Sequence, residues 1–219
     1  MGKKQAKDVR IAVEDELGFD PLVDTSDVMV MNLNGDVALN GTVPSYPQYL
    51  EAAVAARRVA GVKNVHNHLE VLLPQGDYRD DPKLTTAANN ALAGDVTVPD
   101  RVEATAKNGN LTLTGTVVYG SERAAAERAV AGLTGVRNIK NEIEITHDAD
   151  PIDVTLHIQD ALDRHALIHD DSDVAVETKG NTVTLSGHVR TWAEHDAVVD
   201  AAWMAVGVSD VYDDLHITG

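Results

Sequence analysis

The segment Val37-Ala-Leu-Asn-Gly-Thr-Val43 decides the fold of this chain, because the same layout occurs three times. The second copy reads Leu-Thr-Leu-Thr-Gly-Thr-Val at 111–117, and the third reads Val-Thr-Leu-Ser-Gly-His-Val at 183–189. A Gly-Val pair follows each copy, at 61–62, 135–136 and 207–208, so both landmarks advance along the chain by the same steps. Matched spacing at two landmarks indicates three copies of one small unit.

The repeats divide the 219 residues into predicted domains 1–75, 79–147 and 150–219. Units of about 70 residues bury a modest share of their surface and are marginally stable alone. Aromatic residues make up only 4% of the chain, so the cores are expected to consist of Val, Leu, Ile and Ala. We therefore expect the units to pack against one another or against other subunits.

Net charge limits the classes of partner. The chain carries −17 at pH 7, and residues 150–219 hold 3 basic against 14 acidic residues. An acidic surface repels nucleic acid and anionic lipid, and no basic stripe with interleaved aromatic residues is present. Nucleic acid is therefore not an expected partner. The absence of Cys excludes disulfides and thiol chemistry.

Targeting signals are also absent from the sequence as it stands. Residues 1–10 are basic and polar and lack the apolar core of a signal peptide. No apolar run approaches the roughly 18–20 residues of a membrane span, so no transmembrane segment is expected. These features predict a cytoplasmic protein, or a periplasmic or envelope-associated one if a signal peptide has been removed.

Each unit begins with a predicted helix and a β-hairpin. In the first unit the helix covers Asp8–Leu17, where apolar residues recur every four positions. The hairpin strands, Val28–Leu33 and Val37–Val43, are joined at Asn34-Gly35, a pair typical of type I′ turns. The other units have Asn108-Gly109 and Gly180-Asn181 at this place.

A second helix and a last strand complete each unit. The helix opens with a capping box or a looser cap, at Ser45 with Gln48, Ser121 with Glu122, and Thr191 with Glu194. It is predicted to run to the Gly-Val pair, whose Gly suits the left-handed C-cap conformation. The last strands are predicted at 65–72, 139–145 and 211–217. The pattern predicts an α+β fold of three tandem αββαβ units, each a small three-stranded mixed sheet with two helices on one face.

The landmarks of each unit resemble those of the BON domain, which is named for an osmotically induced bacterial periplasmic protein and for nodulation proteins. The resemblance rests on the Gly of the repeated segment and on a Gly-Val pair followed at fixed spacing by apolar residues and an Asn. The fold-motif residues are Gly41, Gly61, Asn67, Gly115, Gly135, Asn141, Gly187, Gly207 and Asp213. Asp213 departs from the pattern, since the family usually has Asn there.

The resemblance covers nearly the whole chain and implies a non-catalytic role. BON domains have been proposed to bind phospholipid surfaces, relatives serve as parts of larger envelope assemblies, and one cytoplasmic relative binds potassium. The residues themselves contain no G-x-S-x-G, Walker or H-E-x-x-H motif. We therefore expect neither an enzyme nor a cofactor.

One candidate metal site lies on the last strand of the first unit. His66, His68 and Glu70 occupy alternate positions, so they project from one face and have the ligand types of a zinc site. The same alternation is typical of a solvated strand face. The corresponding residues of the second unit, 140, 142 and 144, are Lys, Glu and Glu.

The third unit holds a second candidate site and most of the histidines. Asp170, Asp171 and Asp173 offer oxygen ligands for a hard cation such as calcium, although the same residues are typical of an acidic turn. Six of the 9 histidines lie in this acidic unit. Because histidine titrates near pH 6.5, we expect assembly or binding to depend on pH.

Aromatic residues are the candidates for contact with a lipid surface or a protein partner. Tyr46 and Tyr49 open the second helix of the first unit, and Trp192 opens that of the third. Aromatic rings at a helix start can anchor a membrane interface or fill a partner's pocket. Trp203, near the end of its helix, is more typical of a core residue.

Three functions follow as alternatives. The first is a non-enzymatic interaction protein associated with osmotic or envelope stress, with a phospholipid surface or a protein as its partner. The second is a self-assembling homo-oligomeric scaffold, because small units with open sheet faces and edge strands suit assembly. The third is a cytoplasmic sensor of potassium or calcium. The sequence favours the first.

Overall fold

The computed structural model describes residues 2–146, 151–165, 168 and 174–218. The first repeat comprises α1 (Gly2–Phe19), β1 (Val28–Leu33), β2 (Asp36–Val43), α2 (Tyr46–Arg57) and β3 (Asn64–Val71). After a 3₁₀ turn (Gln75–Asp77), the second comprises α3 (Asp81–Gly94), β4 (Glu103–Lys107), β5 (Asn110–Val117), α4 (Gly120–Ala131) and β6 (Asn138–Ile145). The third comprises α5 (Pro151–Asp163), β7 (Val174–Lys179), β8 (Thr182–Val189), α6 (Trp192–Met204) and β9 (Asp210–Ile217).

Each repeat forms one three-stranded sheet, with strand orders β1-β2-β3, β4-β5-β6 and β7-β8-β9. In the first and third sheets the central strand is antiparallel to its hairpin partner and parallel to the last strand. The prediction of an α+β fold with three αββαβ units is confirmed. By their contacts the residues group into two compact units: Met1–Ala88 with Thr105–Leu111 and Ala131–Lys140, and Asn89–Ala104 with Thr112–Val130 and Asn141–Gly219.

The repeated segment supplies the centre of each core. Its alternate apolar residues are at most 1% exposed in every copy: Val37, Leu39 and Val43; Leu111, Leu113 and Val117; Val183, Leu185 and Val189. Each lies on the inner face of a central strand, because side chains alternate between the two faces of a sheet. Full burial of one such side chain contributes about 1.5–3 kcal/mol.

A close approach of the backbone requires the Gly in this segment. Gly41 has a φ of 117°, and a Cβ at this position would lie 1.8 Å from the carbonyl oxygen of Asp27. The same oxygen accepts a hydrogen bond from the Thr42 amide at 3.1 Å. Gly115 repeats the arrangement with a φ of 132° and a Cβ position 2.2 Å from the Arg101 oxygen. Only Gly fits where the second hairpin strand comes this close to the residues just before the first strand.

Four helix boundaries differ from the sequence prediction, namely one start and three ends. Helix α1 begins at Gly2 rather than Asp8, because the Lys, Gln and Ala residues before Asp8 favour helix. Helices α2, α4 and α6 end at Arg57, Ala131 and Met204, before the Gly-Val pairs. The predicted C-cap role of Gly61, Gly135 and Gly207 is therefore wrong.

These three glycines instead lie in the turn that leads to the last strand. Their φ values are 89°, 100° and 82°. In the first repeat the Val62 amide donates to the Val59 oxygen at 3.2 Å, and the Lys63 amide donates to the Gly35 oxygen at 2.8 Å. The Gly-Val turn is thus tied to the tip of the hairpin, where Asn34 and Gly35 have the positive φ values, 57° and 99°, that the type I′ turn requires.

Candidate interaction surfaces

The first-repeat tyrosines differ in accessibility. Tyr46 is only 5% exposed, and its ring stacks on that of Tyr49 with centroids 5.6 Å apart. Tyr46 borders the same groove as Leu69 and Val71 of β3, both of which are buried. Its ring therefore belongs to the core side of the repeat, and the structure does not present it as a surface anchor. Tyr49 is half-buried.

The groove beside Tyr49 has a volume of about 370 Å³. Its remaining side chains are polar or charged, namely Glu70, Asn110, Arg137 and Asn138. The Arg137 side chain is already engaged, since its Nε donates to the Val71 oxygen at 3.3 Å. The groove is thus a polar cleft and does not supply the apolar site that the tyrosines suggested in the sequence.

The two tryptophans of the third repeat have different surroundings. Trp192 is half-buried, and its ring meets the His195 ring edge-on with centroids 4.9 Å apart. Trp203 packs against the apolar core of its repeat, as the sequence indicated. A Cβ at Gly120 would lie 2.5 Å from the Trp203 ring, so the absence of a side chain at Gly120 admits that ring.

The structure does not gather His66, His68 and Glu70 into a metal site. His66 and His68 stack with parallel rings whose centroids are 6.3 Å apart. His66, His68 and Glu70 are exposed on one face of β3, as the alternation predicted. Within the described ranges, no group of three or more His, Asp or Glu side chains is placed to hold a metal ion. Asp170, Asp171 and Asp173 lie outside the described residues.

The motif Asn ties the last strand to the second helix in the first two repeats. Asn67 donates through Nδ2 to the backbone oxygen of Tyr49 at 2.7 Å, and its Oδ1 accepts from the Leu69 amide at 3.2 Å. Asn141 donates likewise to the Arg123 oxygen at 3.1 Å. Arg123 occupies the place in α4 that Tyr49 occupies in α2. The Asn side chain therefore acts as a neutral clamp between strand and helix.

The third repeat replaces this clamp with a charged pair. Asp213 keeps one half of the arrangement, since its Oδ1 accepts from the Leu215 amide at 3.1 Å. A carboxylate cannot donate to the helix backbone. Instead Asp213 Oδ2 lies 2.7 Å from Nε2 of His195, which occupies in α6 the place of Tyr49 and Arg123. The departure from the Asn pattern thus coincides with a histidine at the matching helix position.

An apolar stripe lies on the open face of the first sheet, which is the face without helices. Met29, Met31 and Leu33 alternate along β1 and are 66%, 64% and 71% exposed. On the same face, Ala38 of β2 pairs with Met31, and His66 of β3 pairs with Ala38. Beyond β1 the open face therefore carries both apolar and polar side chains. We call Met29, Met31 and Leu33 the apolar stripe.

Comparison with known protein families identifies the repeats. The BON domain model matches residues 6–72, 80–147 and 153–219. The chain belongs to the BON-domain family.

One curated relative of this BON chain is osmotically-inducible protein Y of Escherichia coli strain K12. The two are 30% identical over 127 residues, which is 56% of this chain and 63% of the relative. The match thus spans less than two thirds of the relative's length. The relative's name describes it as inducible by osmotic conditions.

Two solved structures also align with nearly the whole BON chain. Both are of CdsD, a structural protein of the type III secretion system of Chlamydia trachomatis. One is 15% identical, with 95% of this chain and 91% of that chain covered, at a TM-score of 0.26. The other, the C-terminal domain, is 16% identical, with 97% and 98% covered, at a TM-score of 0.27. Scores this low carry no argument about fold or role.

The apolar stripe of the first BON repeat is the feature that the sequence analysis missed. Read alone, Val28–Leu33 is an ordinary alternating strand in which either face can be the buried one. Aligning the three BON repeats on Gly41, Gly115 and Gly187 indicates which face is open and shows that the outward positions of the first strand are large and apolar in the first repeat alone. No helix in the described part of the chain has the length and apolar character to span a membrane.

Proposed function

We propose that this chain is a non-enzymatic interaction protein of the osmotic or envelope stress response, and that the apolar stripe binds a protein partner. BON-family membership and the osmotically inducible relative support the general role. The observation that carries the specific proposal is the exposure of Met29, Met31 and Leu33, each about two-thirds accessible. Large apolar side chains in adjacent exposed positions mark interaction sites in soluble proteins.

The other two repeats show that the fold does not require this stripe. The matching outward positions of β4 hold Glu103, Thr105 and Lys107, and those of β7 hold Ala175, Glu177 and Lys179. The buried inward residue at the middle of each strand remains apolar: Val30 in β1, Ala104 in β4 and Val176 in β7. The same sheet therefore forms twice with charged residues at the outward positions of its first strand and once with apolar residues there.

Strand β1 also has an unprotected edge. It lies at the end of the order β1-β2-β3 and pairs only with β2 within the described sheet. Soluble proteins protect such edges with charged side chains, and β4 and β7 each carry two of them. Strand β1, with the sequence Val-Met-Val-Met-Asn-Leu, carries none. An extended peptide can add to such an edge through backbone hydrogen bonds while its side chains meet the stripe.

The negative charge of the chain favours a basic peptide as the partner. Asp36 pairs with Leu33 at one end of the open face, and Glu70 lies on the same face of β3. A net charge of −17 opposes a second copy of the chain and an anionic lipid surface. A stable dimer also needs about 800 Å² per partner, more than three side chains provide. A short extended segment with alternating apolar and basic residues matches both the stripe and its acidic surroundings.

The test exchanges the outward residues of two repeats. The variant M29E/M31T/L33K gives β1 the residues of β4, and E103M/T105M/K107L gives β4 those of β1. Both exchanges leave the net charge unchanged. The probe is a fluorescent peptide of alternating Val and Lys, titrated in anisotropy measurements. We expect at least a tenfold loss of affinity in the first variant and gained binding at the second repeat in the other.

Phospholipid binding, which the family suggests, is tested in the same variants by flotation with phosphatidylcholine vesicles and with vesicles containing phosphatidylglycerol. Flotation of the wild type that M29E/M31T/L33K abolishes, without peptide binding, would replace the protein partner with a lipid surface. Sedimentation as a dimer that the same variant dissociates would identify a second copy as the occupant. Equal behaviour of all variants in every assay would refute the stripe as a binding surface.

A further inference from the structure

His195 lies between two carboxylates. Its Nε2 is 2.7 Å from Asp213 Oδ2 on β9, and its Nδ1 is 3.1 Å from Asp196 Oδ1 on its own helix. The His195 side chain is only 12% exposed, and the Trp192 ring covers it from one side. In the described part of the chain, Asp196 and Asp213 are the charged groups in contact with the ring.

The two contacts together require an N–H group on both ring nitrogens. A neutral imidazole has one N–H donor, whereas an imidazolium has two. Ionised carboxylates only accept hydrogen bonds. Both contacts are therefore hydrogen bonds at the same time only when His195 is protonated. With a neutral ring, one nitrogen lone pair faces a carboxylate oxygen, and that contact becomes repulsive.

We propose that the third repeat contains a protonation-dependent latch, in which the imidazolium of His195 holds strand β9 to helix α6. The first and second repeats make the same strand-to-helix connection with Asn67 and Asn141. An amide does not titrate, so those connections are insensitive to pH. The latch is thus specific to the repeat in which Asp213 replaces Asn.

The direction of the response follows from the charge on the ring. Hydrogen bonding to Asp196, followed by the attraction of Asp213, raises the pKa of His195 above its ordinary value, against the opposing effect of burial. A raised pKa means that the latch is complete below the ordinary histidine value of about 6.5. It is lost as pH rises through the higher value of the folded protein. The third repeat should loosen in mildly alkaline solution and tighten in acid.

The other repeats provide the control within the same molecule. Amide hydrogen exchange of the full chain, corrected for intrinsic rates, is measured from pH 6 to pH 9. We expect protection of β9 to fall by about three- to tenfold relative to β6 and β3, the size expected for a partly exposed charged hydrogen bond. A parallel NMR titration of the His195 ring should show a pKa above 6.5.

The variant Asp213→Asn restores the residue of the other repeats. Its amide can donate to the His195 backbone oxygen as Asn67 does to that of Tyr49, so we expect a folded chain whose β9 no longer responds differently from β6. Equal pH profiles of β3, β6 and β9 in the wild type would overturn the latch, and so would titration of His195 at or below pH 6.5. If the variant does not fold, the comparison of β3, β6 and β9 in the wild type still tests the latch.

Discussion

The short distance between Gly41 and the Asp27 oxygen predicts that a side chain at residue 41 lowers the stability of the fold. Substitution of Gly41 by Ala places a Cβ at a position 1.8 Å from the Asp27 oxygen, where atoms in ordinary contact are 3.4–4 Å apart. The residue also has a φ of 117°, which L-residues rarely adopt. The backbone must therefore move at the open end of the hairpin, where β1 begins, beside a central strand whose inward Val37, Leu39 and Val43 are at most 1% exposed.

The size of the effect has two parts. Holding a non-Gly residue in this backbone region costs about 1–3 kcal/mol. Separation of the strands also weakens the hydrogen bond from the Thr42 amide to the Asp27 oxygen, which is 3.1 Å long. One such bond contributes about 0.5–1.5 kcal/mol. We expect Gly41→Ala to lower the free energy of unfolding by about 2–4 kcal/mol, or Tm by about 5–15 °C.

Thermal unfolding followed by circular dichroism measures the effect. Gly18→Ala is the matched control, because a Cβ there meets nothing within 4 Å. Gly18 is also helical, so Ala should stabilise it by up to about 1 kcal/mol. Gly115→Ala should destabilise as Gly41→Ala does, since its Cβ position lies 2.2 Å from the Arg101 oxygen. A Tm for Gly41→Ala equal to that of the wild type would refute the reasoning.

Two further predictions concern polar contacts of the first repeat. Asn67→Asp should lower the free energy of unfolding by about 1–3 kcal/mol in urea titrations, because a carboxylate cannot donate to the Tyr49 oxygen; an unchanged midpoint would contradict the clamp. The Leu22 amide, followed by Arg58, lowers the pKa of the buried Asp20, whose Oδ2 lies 2.6 Å from the Arg58 guanidinium. This contact stabilises the fold above the ordinary Asp pKa and is lost as pH falls through the lowered value. The variant Arg58→Ala should therefore have a lower Tm than the wild type at pH 7. Its Tm should also fall less between pH 7 and pH 3 than that of the wild type. An equal fall in both proteins would argue against the ion pair.

Repetition made the architecture readable from the sequence. A single copy of the segment at Val37–Val43 is an ordinary strand, but three copies in register with three Gly-Val pairs define the repeated unit and the order of its helices and strands along the chain. The hairpin turn at Asn34-Gly35 was predictable because few residues accept positive φ. The helix ends were not predictable, because a Gly with positive φ serves equally as a C-cap or as part of a following turn.

The local sequence determined which residues form alternating strands, which residues form turns and which residues cap helices, because these properties depend on neighbours within a few positions. It did not determine which side of β1 is covered by helices, and so it left Met29, Met31 and Leu33 indistinguishable from a core stripe. It also left open whether His66, His68 and Glu70 form a metal site or a solvated strand face, because the spacing of side chains along a strand does not show how they are arranged in space. Only tertiary structure brings Asp213 to His195, residues far apart in sequence. Their pairing depends on the packing of a strand on a helix, which no local pattern of residues specifies.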